Sequence, residues 1–334
     1  MGNYSVTKSR CDGQVSYSLH DVRRRIEFKL MPAVGNLGYS LAIDGEELLL
    51  TPKTLTALTE KRGLGSGIPF LAPFANRIDG DAFHFQGKKY LLNDFLGNFG
   101  RCSLTNYPIH GLLTCESRWE VVEAAAAKSD GAAITSRLEF WKYPDLMAQF
   151  PFAHAIEVTY RLRNGSLECA TALKNLGAWP MPVHLGYHPY FAPDGPRADW
   201  TLHIAAKAHW IARENLIPTG RKEPTDFFLP RSTRSISLGG TFIDDGFTDL
   251  QRGADGKARF WVAGKRRRIE VAFGSAYSTA IIYAPLHEDL ICIEPQTGPT
   301  NAFNLTQAGK FKGLVVLNPG KTFVAKYWIV PSLM

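Results

Sequence analysis

Two short segments carry side chains suited to proton transfer. One reads Ile291, Cys292, Ile293, Glu294, Pro295, Gln296, Thr297, Gly298, Pro299. Its β-branched run delivers a carboxylate into a turn stiffened by two prolines. Proline fixes φ and removes a backbone donor, so a strand stops there and leaves Glu294 at the mouth of a sheet. The other reads Val183, His184, Leu185, Gly186, Tyr187, His188, Pro189, Tyr190, Phe191, with an imidazole at an aromatic strand end just before a proline. A carboxylate and an imidazole on rigid strand ends make a general acid/base pair. Glutamate with an ordinary pKa near about 4.3 is the expected base at neutral pH, and histidine near about 6.5 the expected acid.

Three further segments offer groups that hold hydroxyls. Asn76-Arg77-Ile78 ends an apolar run before an Asp-Gly turn, so that Arg77 can reach into a cleft with its fork of donors. His110 is pinned between Pro108-Ile109 and Gly111, and Asp244 and Asp245 lie between Phe242 and Phe247. Each of these, taken singly, reads equally well as a surface arginine, a structural histidine or an ordinary Asp-Gly turn. His184 and His188 are four apart, but Pro182, Gly186 and Pro189 rule out a regular helix. On a strand that spacing is roughly 13 Å, too long for two ligands of one metal ion. Strand alternation puts both on one face, so His184 is expected to line the pocket that holds His188. Gly320-Lys321-Thr322 lacks the earlier glycine of a phosphate-binding loop, because position 315 is Val. No metal and no cofactor is expected.

The elements that must position these groups read as strands. From 155 to 173, Ile156, Val158, Tyr160 and Leu162 alternate with polar residues up to Asn164-Gly165, and the pattern then returns through Leu167, Cys169, Thr171 and Leu173. Period-two alternation around Asn-Gly predicts a type I′ hairpin. Residues 82–92 predict a second hairpin turning at Gln86-Gly87, and residues 313–330 a third turning at Asn318-Pro319-Gly320. Residues 121–128 favour helix by their alanines, but sit between Trp119 and a Ser-Asp-Gly turn and are read as strand. Many hairpins and few helices predict an all-β fold, a large antiparallel sandwich. No linker or internal repeat divides the 334 residues, so one domain over 1–334 is expected.

With 45% hydrophobic and 21% charged residues, the composition is that of a globular protein with a large core. The net charge of +7 permits weak attraction to polyanions. The densest basic run, Lys265 to Arg268 after Gly264, reads as a solvated hairpin tip, and no nucleic-acid-binding spacing is present. Five irregularly spaced cysteines argue for a reducing compartment, hence the cytoplasm. The first residues lack the apolar core of a signal peptide, and no stretch approaches 18 apolar residues, so no membrane partner is expected.

Taken in order, the motifs resemble the aldose 1-epimerase (galactose mutarotase) family, in a less characterised bacterial branch. They are Asn76-Arg77-Ile78 with Gly80, Phe83, Gly87 and Tyr90; His110-Gly111; His188 with Tyr190-Phe191; Asp244 with Phe247; and Glu294, Gln296 and Pro299. The resemblance implies a single β-sandwich of the galactose mutarotase type, and interconversion of the α and β anomers of a free aldohexose without a cofactor. It implies Glu294 as general base, His188 as general acid, and Arg77, His110, Asp244 and Gln296 as contacts to sugar hydroxyls; Asn76 beside Arg77, and His184 by strand alternation, are added as candidate substrate-binding residues. The small-molecule partner is a sugar, and a monomer or homodimer is expected. The chain departs from the family in having Tyr187 where Asn is usual, Pro189 after the histidine, and Pro299-Thr300-Asn301-Ala302 where Pro-Asp-Ala is common. Alternatives are a mutarotase of a phosphorylated hexose, for which Arg101, Arg118 and Arg213 are the candidate anion ligands, and a non-catalytic sugar-binding module. Phe74, Trp179, Tyr187 and Tyr190 are candidates for packing on the sugar.

Overall fold

The computed structural model describes residues 3–60, 62–229 and 235–334. The expected unit over 1–334 takes in residues 1, 2, 61 and 230–234, which lie outside these. Antiparallel pairing dominates. A nine-stranded sheet has at its centre His154–Arg163, Ser166–Asn175, Thr322–Leu333, Arg267–Phe273 and Ala258–Ala263, in that spatial order. An eight-stranded sheet runs Pro218–Pro224, Ala206–Ala212, Ile243–Leu250, Thr279–Ala284, Ile291–Gln296, Gly186–Tyr187 and Phe70–Leu71, with Tyr190–Phe191 also pairing to Ile291–Gln296. A five-stranded sheet from Tyr4–Cys11 to Glu46–Glu47 completes the large sheets among the described residues.

The local sequence explains the strands. Asn164 and Gly165 both have positive φ, 51° and 78°, which a type I′ turn requires. The flanking strands His154–Arg163 and Ser166–Asn175 pair in full register. Ile156, Val158, Tyr160 and Leu162 are all buried, and the residues between them half-buried. Gln86 and Gly87, at 49° and 76°, repeat the device between Ala82–Phe85 and Lys88–Leu91. The alanine-rich segment is a strand, Glu120–Ala127, with a register shift between Val121 and Glu123.

The third expected hairpin does not form. Val315–Leu317 pairs with Met181–Val183, while Thr322–Leu333 pairs with Ser166–Asn175 and Arg267–Phe273. Asn175 decides this: its side-chain amide donates to the Leu317 carbonyl at 2.7 Å, and its own carbonyl accepts from Gly320 N at 3.0 Å. The Asn-Pro-Gly turn is thereby a corner between two sheets. The basic hairpin tip is not simply solvated either. Arg267 is buried, donates to the Ile43 carbonyl and pairs with Glu46, and Arg266 pairs with Glu46 and Asp194.

The core lies between the sheets. Tyr187 of the eight-stranded sheet meets Tyr327 of the nine-stranded sheet at 5.0 Å between ring centroids, and its hydroxyl contacts Thr171 Oγ1 at 2.6 Å. Phe28 and Tyr160 tie the five-stranded sheet to the same core. The eight-stranded sheet therefore has one face turned inward, and its other face carries the polar groups described next.

Candidate active site

Strand Ile291–Gln296 is buried throughout. Alternation sends Ile291, Ile293 and Pro295 one way, and Cys292, Glu294 and Gln296 the other. Ile293 is fully buried in the core, so Glu294 points to the opposite face. Glu294 stands beside Ile281, which stands beside Gly246, and Gln296 stands beside Thr279 and Gly186. Gly186 is needed there. A Cβ at this position would meet Gln296 Cγ and the Pro295 carbonyl, both at 2.8 Å.

Two residues from Gly186, past buried Tyr187, His188 comes to the same face. Its backbone N–H donates to the Pro69 carbonyl at 3.0 Å. The His188 Nε2 lies 3.2 Å from Glu294 Oε1, and the Gln296 amide donates to Glu294 Oε2 at 3.0 Å. Tyr190 stacks on the His188 ring at 4.4 Å, and His110 meets its edge at 5.1 Å. Glu294 is 1% exposed and His188 6%, so the pair is closely enclosed.

Arg77 and His110 arrive together on strained backbone. Asn76 and His110 both have left-handed φ, 58° and 62°, and the His110 N–H donates to the Asn76 carbonyl at 3.0 Å. Such conformations in non-glycine residues cluster at functional sites. Gly111 is fixed by the neighbouring backbone, since a Cβ there would meet the Ala72 carbonyl oxygen at 2.1 Å. The Asn76 side chain accepts from both Arg77 N and Arg77 Nη1 at 2.9 Å, so Asn76 aims the guanidinium. Arg77 Nη2 then faces Asp244 Oδ2 at 3.7 Å. Asn301, also left-handed, donates its N–H to the Arg77 carbonyl.

Burial governs the electrostatics. It lifts the Glu294 carboxyl well above the ordinary range; Asp244 adds to this, while Gln296 and Arg77 oppose it. Burial takes His188 down to about 3, with Arg77 contributing. Both directions favour the uncharged form of each group, and the 3.2 Å contact between the two opposes them. Burial thus works against the sequence expectation of an ionised Glu294 beside a protonated His188. Reference values assume water around the group, and here there is almost none. Burial also raises Asp244 against the opposing pull of Arg77, and lowers His110 strongly.

A cavity beside the pair is lined by Asn76, Arg77, Trp210, Asp244, Asp245 and Ile281, among others. Arg77 and Asp244 line it directly, while Glu294, reached across Ile281, forms no part of its wall. Buried polar atoms around the pair have no hydrogen-bond partner among the described residues: Gln296 Oε1, His110 Nδ1 and Thr279 Oγ1. Buried polar groups are normally paired, so these atoms are available to a polar ligand.

The other candidates divide. His184 is buried against Phe303, with Nε2 at 3.3 Å from the Gly298 carbonyl, so its recorded contacts are with that turn and not with His188 or Glu294. Tyr187 and Phe74 are fully buried and Trp179 is 78% exposed on a different groove, which leaves Tyr190 as the expected aromatic that touches the pair. Arg101 is held by Asp81 and Asp94, and Arg118 by Glu116 and Asp145. Arg213 faces Asp79 at 3.6 Å. Trp210 and Ile281 were not singled out by residue type, because a tryptophan or isoleucine in a strand reads as core. Cys102 was missed too; burial raises its thiol, but Thr105 and Arg77 outweigh that and bring it to about 7.

The family model for aldose 1-epimerase matches residues 40–329. The uncharacterised protein YihR of Escherichia coli K12 is 24% identical over 306 residues, covering 90% of this chain and 89% of that protein. Among solved structures, a galactose mutarotase-like protein from Clostridium acetobutylicum superposes with a TM-score of 0.85 at 20% identity, covering 99% of both chains. Galactose 1-epimerase from Lactobacillus acidophilus superposes with a TM-score of 0.78 at 16% identity, covering 100% of this chain and 99% of the other. These structural likenesses show a shared fold.

Proposed function

The chain belongs to the aldose 1-epimerase family, and from that premise we propose that it interconverts the α and β anomers of a free aldohexose, as one cytoplasmic unit over residues 1–334. The observation that carries this reading is the enclosed contact between Glu294 and His188, with Arg77, His110 and Gln296 around them.

In this reading the sugar enters between the two groups and replaces their contact with its own O1–H and O5. Arg77 and Gln296 both favour the charged form of Glu294. In the productive complex the carboxylate faces O1 and the proton is on His188, whose imidazolium donates to O5 against the opposing charge of Arg77. Glu294 takes the O1 proton, the C1–O5 bond breaks, C1 becomes a carbonyl, and His188 delivers its proton to O5. Rotation about C1–C2 presents the other face, and closure runs the same transfers backwards. Both protons return to their original holders, so the chemistry calls on no nucleophile or electron carrier. Arg77, Asp244, His110 and Gln296 hold the remaining hydroxyls, Asn76 aims Arg77, and Tyr190 stacks on His188.

The test is polarimetry on freshly dissolved α-anomers of a panel of aldohexoses. Relaxation of optical rotation faster than the buffer rate, in proportion to protein, is expected for at least one of them. Background relaxation for every sugar, with binding intact, would instead support a non-catalytic sugar-binding module.

A further inference from the structure

Beside the cavity, and sharing Trp210 with it, lies a wider groove of about 480 Å³. This is within the usual size range of a small-molecule site. Cations reach it from three separate parts of the chain. Lys222 comes from strand Pro218–Pro224, Arg252 from just after Ile243–Leu250, and Lys310 and Lys312 from the segment after helix Ala302–Gln307. The one carboxylate in the lining, Asp249, is taken up by Lys222 at 2.9 Å. Arg252 is held by backbone carbonyls, among them Tyr277 O at 2.6 Å, and among the described residues neither it nor Lys310 or Lys312 has an ion pair. Like charges converging in a concavity repel one another, and an anion placed there relieves the repulsion.

The groove has an apolar floor. Trp210 is buried, its ring carries Lys222 at 4.8 Å, and Phe311 meets it edge-on at 6.2 Å. Its distance from the proton-transfer pair is set by the sheet. The Trp210 ring lies over Gly246 of strand Ile243–Leu250, and two strand spacings, about 10 Å, separate that strand from the Glu294 strand. That is farther than one pyranose ring reaches.

We propose that this groove holds the second residue of an acidic reducing oligosaccharide: the ring to be opened sits at Glu294 and His188, the next sugar lies on Trp210, and its anionic group is bound by Lys310 and Lys312. The assignment of the first ring rests on the mutarotase reading above; the groove and its charge do not.

The test compares anomer exchange of cellobiouronic acid, cellobiose, glucose 6-phosphate and glucose at low ionic strength, with the wild-type protein and the Lys310→Ala/Lys312→Ala variant. Wild type should show a kcat/KM for cellobiouronic acid about tenfold or more above that for cellobiose. The double variant and added salt should each remove most of that advantage while glucose turnover stays unchanged. Equal turnover of the two disaccharides would overturn the proposal. So would a preference for glucose 6-phosphate that depends on the same lysines, since it puts the charge on the first ring. Failure to turn over any sugar would defeat the mutarotase reading alone. Calorimetric titration with cellobiouronic acid then decides the groove: binding that the double variant loses supports it, and no binding to wild type overturns it.

Discussion

Glu294 and His188 lie 106 positions apart in the chain, yet their side chains meet at 3.2 Å with 1% and 6% of their surfaces exposed. Antiparallel pairing brings them together: Gly186 stands opposite Gln296, so the residues two positions away on each strand share one face of the sheet. The contact makes the two groups one titrating unit, whose pKa values belong to the pair.

The pH profile of kcat/KM should show this. Burial lowers His188 to about 3 and raises Glu294 well above its ordinary value. The one-proton form of the pair therefore persists from about pH 3 upward until Glu294 gives up its proton. Activity should be flat over that interval, fall on the acid side as His188 takes a second proton, and fall on the alkaline side as the pair loses its only one. Ordinary reference values would place the limbs the other way round, Glu294 below and His188 above. An acid limb at about pH 4.3, the ordinary glutamate value, contradicts the buried-pair account.

His188→Asn removes one proton site and keeps a polar side chain. We expect kcat to drop about 100-fold, the scale of positioned acid/base catalysis. We also expect the acid limb to vanish, because the site that takes the second proton is gone. A folded variant that is slow but keeps its acid limb points to another acid, with His110, at 5.1 Å from the His188 ring, the next to replace.

Arg77→Lys keeps the charge and loses the fork that Asn76 and Asp244 hold. KM should rise about tenfold, equivalent to about 1.4 kcal/mol of binding, with a smaller change in kcat. Steady-state kinetics on the preferred aldose separates the two parameters. An unchanged KM removes Arg77 from the substrate contacts.

Tyr187→Phe tests the neighbour of His188 as a core residue. Its hydroxyl contacts buried Thr171 at 2.6 Å. Loss of that hydrogen bond should lower stability by about 1 kcal/mol in urea unfolding, with little effect on kcat. Unchanged stability together with a large KM change would make Tyr187 a sugar contact instead.

Much of the fold was legible in the sequence, for local reasons. Asn164-Gly165 and Gln86-Gly87 supply the two positive φ values that tight hairpins need, and alternation from Ile156 to Leu162 fixes which side is core. The Asn-Pro-Gly corner was misread because its outcome depends on Asn175, far away in sequence. In the site, the residue types and their order pointed to Glu294, His188 and Arg77. Proton placement was not legible, because it depends on how completely the sheets exclude water. His184 shows the limit of alternation: the strand ends at Val183, and the His184 ring turns to the Gly298 carbonyl.

The central claim is that Glu294 is the base of a mutarotation. Glu294→Gln preserves the shape and removes the basic oxygen. The decisive measurement is polarimetric relaxation of the preferred α-aldose with wild type and with this variant, both shown to be folded by circular dichroism. We expect wild type to accelerate relaxation, and the variant to lose at least about 100-fold in kcat. Near-native turnover by the folded variant would contradict the account.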